Sequence, residues 1–268
     1  MPIYYLLVLA IVQGITEFLP ISSSGHLVLV AKFIDFSNHS LTLDVAMHVG
    51  TLGAVLIYLW RDIGLMFWGV FEFFSGNKTL GGKLFLWLII GTIPVAGCGY
   101  ILNQYFPNGI RDIQTIAWMT LIFGVFLMLS DKIGMTFRRI EHLRFADVIL
   151  ISIVQVLALI PGTSRSGVCI TAGRFLGMER AAAARFSLLL SIPAILGAGS
   201  LKGYDLWQSD NLIMTDAAFL AAVIAFLVAF ISIFLMMAWL RKSSLTPFAI
   251  YRILLGGLLL VAPYFGSF

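Results

Sequence analysis

Long apolar stretches, each about the length of a bilayer crossing, fill most of this chain and leave little room for a water-soluble surface. They fall near residues 43–60, 84–102, 116–131, 180–202, 217–240 and 246–264. A helix needs about 20 apolar residues to cross a hydrocarbon layer roughly 30 Å thick. Of 268 residues, 60% are hydrophobic and only 11% charged, where soluble domains carry about 25%. The mean hydropathy is +1.00. This predicts one all-α polytopic membrane domain over 1–268 and excludes a soluble enzyme. The formal charge of +4 then reports loop Lys and Arg at the cytoplasmic face, so nucleic acid is not an expected partner. Cys98 and Cys169 lie in apolar stretches and suggest no disulfide framework or zinc site. The first 20 residues lack the basic start of a signal peptide, and their pattern recurs later in the chain, so they read as mature structure.

Two further apolar stretches, 2–19 and 146–160, behave differently. Each runs into a Pro/Gly/Ser loop, at 20–26 and 161–167, and then into a short apolar arm, 27–34 or 168–176. Such arms are too short to cross, and broken segments persist at membrane depth only when buried in protein or lining a wet cavity. With residue 6 set against 148, a constant offset of 142, the two hairpins align without a gap. Gln13/Gln155, Ser22/Ser164, Ser24/Ser166 and Gly25/Gly167 match at one register. Apolar identities between membrane segments are cheap; four polar or glycine matches are not. The chain therefore reads as a duplication, with halves of about 1–131 and 145–268 and hairpins at about 2–34 and 146–176.

Basic residues cluster in 61–83, 132–144 and 241–245, whereas 203–216 is acidic. Keeping the basic loops inside places both termini outside. Each half then has three crossings and one re-entrant hairpin, and an odd number gives the halves opposite orientation. The expectation is six transmembrane helices plus two re-entrant hairpins in an inverted-topology repeat, with the site where the broken helices meet.

Glu17 is an ionisable group in an apolar run, a functional hypothesis by default. Gln13 lies one turn before it on the same face. The alternative is a structural carboxylate in interfacial water or paired with an Arg. Pro20 ends the first arm, and Ser22, Ser23, Ser24, Gly25 and His26 open the second. Serines cap helices without any further role, but three hydroxyls and an imidazole beside a buried carboxylate favour chemistry. The second loop, Pro161-Gly162-Thr163-Ser164-Arg165-Ser166-Gly167, adds a guanidinium, which forks onto phosphate oxygens. A helix N-terminus also suits an anion. Carboxylate and His can do acid–base work or hold a cation. Ser or His can act as nucleophile, while Arg and N–H groups steady a transferring phosphoryl group. The set fits phosphoryl chemistry on a lipid substrate.

The run Gln13-Gly-Ile-Thr-Glu17-Phe-Leu-Pro-Ile-Ser-Ser-Ser-Gly-His26, with Pro161-Gly-Thr-Ser-Arg-Ser-Gly167, resembles the bacterial undecaprenyl-pyrophosphate phosphatases, also called bacitracin-resistance proteins. The resemblance covers nearly the whole chain. It implies hydrolysis of undecaprenyl pyrophosphate to undecaprenyl phosphate, which is reused in wall-polymer synthesis. It also implies a divalent cation (Mg²⁺ or Ca²⁺), a site facing the outside of the bacterial inner membrane, and competition from bacitracin for the same lipid. A homodimer is compatible with it. Carried over by position, Glu17 and Gln13 assist the metal or the base, Ser23 and His26 are the nucleophile candidates, and Ser164, Arg165 and Ser166 bind the pyrophosphate. The remaining loop residues, Ser22, Ser24, Gly25, Gly162, Thr163 and Gly167, line the substrate. Two positions depart from the family. Gln13 stands where many members have Glu and is the weaker cation ligand. Cys169 stands where many have Thr, a hydroxyl that Thr171 could replace. The membrane type-2 phosphatidic-acid phosphatases share a Ser-Gly-His and a Ser-Arg, but the His they place six residues after the Arg is Thr171 here.

Outside the loops, Asp44 and His48 read as a helix-stabilising or interfacial pair, with lining of the entrance as the alternative, and Arg185, Ser187 and Ser191 read as packing, with Arg185 able to add charge to the pocket. The rival function is a transporter or flippase of polyprenyl phosphate or another anionic lipid, since paired re-entrant hairpins are a transporter architecture. The Glu17, Ser23, His26 and Arg165 set exceeds what binding alone requires.

Overall fold

The computed structural model describes residues 3–33, 41–77, 79–106, 112–134, 136–208 and 216–262. Lys78 and residues 209–215, with Asp210 of the acidic loop, lie outside the described residues. The described chain is helical, with no strand. Its eleven α-helices are α1 Ile3–Thr16, α2 Ser23–Phe33, α3 Leu41–Tyr58, α4 Trp60–Phe74, α5 Leu80–Tyr105, α6 Ile113–Ile133, α7 Phe145–Val156, α8 Arg165–Phe175, α9 Arg180–Gln208, α10 Asp216–Leu240 and α11 Thr246–Val261.

Four helices are individually long and apolar enough to cross a membrane: α5, α6, α9 and α10. The chain is thus a multi-pass membrane protein. α3 and α4 together make a fifth candidate span, bent by 78°. α1 and α11 are shorter apolar helices, as is the stretch formed by α7 and the 3₁₀ turn Leu157–Leu159 after it.

One expectation needs correcting. The basic segment 61–83 is not a plain loop, because its first part is α4. Asp62 is buried on the inner side of α4 and pairs with Arg185 of α9, which pins α4 to the bundle. Trp60, Phe67, Trp68 and Phe71 are exposed on the other side, as suits an apolar environment. The charges at 61 and 62 thus belong to a helix start, and only the turn after Phe74 is loop.

The packing interleaves the two halves. α1 lies along α10 while α7 lies along α5, and α3 pairs with α10 as α6 does with α11. In lipid, close helix packing relies on small residues. α10 buries Ala218, Ala221, Ala225 and Ala229. Opposite them, a Cβ on Gly50 of α3 would come within 2.1 Å of the Ala222 carbonyl oxygen, so only glycine fits there. The loops between α1 and α2 and between α7 and α8 are thereby brought against each other inside the bundle.

Candidate active site

Glu17 directly follows Thr16, the last helical residue of α1, its amide bonding to Gln13 O at 3.0 Å. The carboxylate is nearly buried and fully engaged. Oε1 accepts from Arg165 Nη2 at 2.8 Å, across 148 residues of sequence. Oε2 accepts from Ser23 Oγ at 2.8 Å and from Gln13 Nε2 at 3.0 Å. A carboxylate inside a membrane bundle needs such partners to stay charged. The fork of Arg165 is only half used: its Nη1 is buried and has no partner among the described residues.

Each loop closes on itself in the same way. Gly25 N donates to Ser22 Oγ at 3.4 Å, and Gly167 N donates to Ser164 Oγ at 3.1 Å. These are N-caps, which supply partners to the otherwise orphaned first-turn amides of α2 and α8. Ser22 and Ser24 hydroxyls lie 3.4 Å apart, and Ser164 and Ser166 hydroxyls 3.1 Å apart. Ser166 Oγ also donates to the Leu19 carbonyl at 2.8 Å, so that hydroxyl ties one loop to the other. Gly162 has φ +91°, and a Cβ there would come within 2.5 Å of the Ile116 carbonyl oxygen. Gly167 is needed for a different neighbour, since its Cβ would meet Arg252 Nη1 at 2.6 Å.

Arg252 is the residue that sequence reasoning missed. It is wholly buried on α11. Its guanidinium donates to Pro20 O in the first loop (3.4 Å) and to Gly162 O and Thr163 O in the second (2.9 and 2.8 Å). It also reaches Thr120 O at 3.3 Å and Met119 O at 3.5 Å on α6. No carboxylate pairs with it among the described residues. Glu17 and Arg165 offset each other, so Arg252 leaves the site with a surplus positive charge, which favours an anion. The signal was available: Arg252 is a lone cation in an apolar span, the mirror of the rule that singled out Glu17.

The other expected residues fall as follows. His26 is in the first turn of α2. Its Nδ1 is 2.6 Å from Ser22 O and its Nε2 is 2.6 Å from the hydroxyl of Tyr251, a second partner not foreseen. Thr163 is buried, with its hydroxyl unpartnered among the described residues. Ser24 is exposed. Cys169 Sγ donates to Gln155 Oε1 at 3.2 Å, so it is committed to α7; the Thr171 hydroxyl is buried and has no partner among the described residues. Arg185, on Asp62, adds no charge to the loops. Ser187 Oγ donates to Ser166 O at 3.4 Å and thus backs the second loop. His48 Nδ1 bonds within its own helix to Asp44 O, at 2.7 Å.

Among the described residues no group of three or more His, Cys, Asp or Glu gathers to hold a metal. Glu17 and the buried, unpartnered Oε1 of Gln13 could form one edge of a cation shell. A hard cation takes six or more oxygens, commonly including substrate phosphates, so a diphosphate would have to complete it.

The sequence profile of bacitracin resistance protein BacA matches residues 6–258. The chain is 45% identical to undecaprenyl-diphosphatase 1 of Rhodospirillum rubrum, over 97% of this chain and 95% of that protein. It is 43% identical to the undecaprenyl-diphosphatase of Alteromonas mediterranea, over 97% and 98%. It is 42% identical to that of a Jannaschia species, over 98% and 100%.

Proposed function

The chain belongs to the bacitracin resistance protein BacA family, and from that membership we propose that it is an undecaprenyl-diphosphatase. It hydrolyses undecaprenyl pyrophosphate to undecaprenyl phosphate and inorganic phosphate and so returns the lipid carrier to wall synthesis. The observation that carries this to residues is the 2.8 Å bond from Ser23 Oγ to Glu17 Oε2, beside Arg165 on Oε1. A hydroxyl held on a carboxylate is a nucleophile with its base already in place. A binding protein or flippase needs the cation but not that pair.

In this reading the diphosphate is drawn by the surplus charge of Arg252 and by the unused Nη1 of Arg165. Each contact it wins from Arg165 leaves Glu17 freer to accept a proton. Ser23 Oγ attacks the terminal phosphorus and its proton passes to Glu17. The bond from that phosphorus to the bridging oxygen breaks, and its electron pair leaves with undecaprenyl phosphate. First-turn amides of α2 and α8 and Arg165 hold the charge that builds on the phosphoryl oxygens. Water then hydrolyses the phosphoserine. A divalent cation, Mg²⁺ or Ca²⁺, would bind Glu17 and Gln13 Oε1 together with the diphosphate and neutralise part of its charge. The site would face the outside of the bacterial inner membrane, as follows if the basic segments mark the cytoplasmic side. Bacitracin would act by sequestering the lipid. The two loops would derive from one duplicated hairpin, and a homodimer is compatible with the reading.

The test is phosphate release from a prenyl diphosphate by purified protein, with Mg²⁺ or Ca²⁺ added. Rapid quench with the terminal phosphate labelled should trap an acid-stable phosphoserine that Ser23→Ala abolishes. Release that survives both Glu17→Ala and Arg165→Ala would overturn the site, and an acid-labile phosphohistidine would move the nucleophile to His26.

A further inference from the structure

His26 is fixed at both ring nitrogens. Its Nδ1 lies 2.6 Å from the carbonyl oxygen of Ser22. A carbonyl only accepts, so Nδ1 carries a proton. Its Nε2 lies 2.6 Å from the Tyr251 hydroxyl. The ring centroids are 5.7 Å apart with planes 11° from parallel. Combined with the short Nε2 to oxygen distance, this is an edge-to-edge meeting in a common plane. In the neutral ring Nε2 is therefore the acceptor and Tyr251 the donor, and the hydrogen bond on one nitrogen decides the role of the other.

Tyr251 is 43% exposed, and its backbone is anchored through its neighbour. It precedes Arg252 on α11, and Arg252 binds backbone carbonyls of both loops. The hydroxyl is thus tied to the same frame that carries the site. His26 lies three residues after Ser23 on α2, a spacing that puts the two side chains on neighbouring positions of one face. Ser23 already has its own base in Glu17, so the imidazole is not needed to activate it.

We propose that Tyr251 is a positioning residue for this reaction, which holds His26 as the Nδ1-protonated tautomer so that Nε2 can take the proton of the water that hydrolyses phospho-Ser23. This rests on the phosphatase reading given above. When water displaces the Tyr251 hydroxyl from Nε2, its oxygen attacks phosphorus and one of its protons goes to Nε2. The bond from phosphorus to Ser23 Oγ breaks, and Ser23 Oγ recovers the proton held by Glu17. Inorganic phosphate leaves with the other water proton, and the imidazolium returns its extra proton to solvent. Tyr251 then re-forms its bond to the neutral ring.

The experiment uses the full chain in detergent micelles with a prenyl diphosphate and Mg²⁺. Tyr251→Phe keeps the ring and removes the hydroxyl. It should lower kcat by about five- to twentyfold, less than the 10²–10⁴ typical of losing the acid–base group itself, with KM changed less than about twofold. Rapid quench should show phosphoserine forming at the wild-type rate and breaking down slowly, as in His26→Asn. The double variant Tyr251→Phe/His26→Asn should be no slower than His26→Asn, because the tyrosine acts through the histidine. Normal breakdown in Tyr251→Phe, equal slowing of both steps, or additive losses in the double variant would each overturn the proposal. ¹⁵N NMR of labelled histidine reads the pair without turnover: wild type should show Nδ1 protonated and Nε2 bare at neutral pH. If wild type releases no phosphate, the phosphatase reading fails; a proton on Nε2 in the NMR measurement overturns the Tyr251 assignment.

Discussion

Ser22 and Ser164, aligned at the offset of 142, share a backbone conformation that no other described non-glycine residue adopts, with φ of 78° and 70°. Both are N-caps whose hydroxyl takes the amide three residues on. A positive φ costs a residue with a Cβ roughly 1–3 kcal/mol. The same strain at the same register, in loops with different neighbours, shows that the Ser-x-Ser-Gly pattern itself sets the turn.

That strain gives an ordering of variants. Ser164→Gly removes the steric conflict, and a Gly cap loses only a few tenths of a kcal/mol. Ser164→Ala keeps the conflict and drops the cap, which costs about 1 kcal/mol. Ser164→Gly should therefore be more stable than Ser164→Ala by about 2–4 kcal/mol in thermal unfolding. The reverse order would refute the strain.

Arg252→Lys keeps the charge and loses the fan of donors. A compact ammonium cannot reach Pro20 O, Gly162 O, Thr163 O and the α6 carbonyls together. Hydrogen bonds to charged groups are worth about 1.5–3 kcal/mol each, so a loss of about 2–4 kcal/mol is expected. Differential scanning fluorimetry in detergent would detect it, and an unchanged midpoint would remove Arg252 from its place between the loops.

Glu17→Gln preserves shape and, through its single amide oxygen, can still accept from Arg165, but its amide nitrogen cannot accept from Ser23 or take its proton. Turnover should fall by about 10²–10⁴ while the protein stays folded. Steady-state phosphate release, paired with a melting curve, separates this from simple unfolding. Activity within tenfold of wild type would exclude Glu17 as the base.

Chelation should act on turnover and not on stability. No described cluster could hold a resident metal, and the cation is expected to arrive with the diphosphate. EDTA should stop phosphate release yet leave the unfolding midpoint of the substrate-free protein where it was. A lowered midpoint would point to a metal bound by the protein alone.

The hairpins were legible because polar residues in an apolar run stand out. The sequence marks Glu17, Arg165 and the two serine loops by their chemistry, but offers the pairing of Glu17 with an Arg only as the structural alternative. What the sequence hid was direction and company. The bond from the Ser166 hydroxyl to Leu19 O, which ties the two loops together, is one that no local pattern specifies. Tyr251 meets His26 across 225 residues, and an aromatic near the start of an apolar helix carries no mark of that. α4 was obscured by the charges at its start, since Arg61 and Asp62 look like loop until Asp62 is seen turned inward toward Arg185. Arg252 was legible by the rule that marks Glu17, as the one charge in an apolar span.

The 148-residue separation of Glu17 and Arg165 also bears on how the protein is made. At about 5–20 residues per second, the ribosome delivers Arg165 roughly 7–30 s after Glu17. α10, against which α1 packs, follows later still. During that interval the first hairpin has neither its counter-charge nor its wall. The first hairpin can therefore take its final place only once the second half has been made. Arg165 then supplies the counter-charge and Arg252 the contacts to the loop carbonyls, so the site and the packing of the first hairpin are completed together, by residues of the second half.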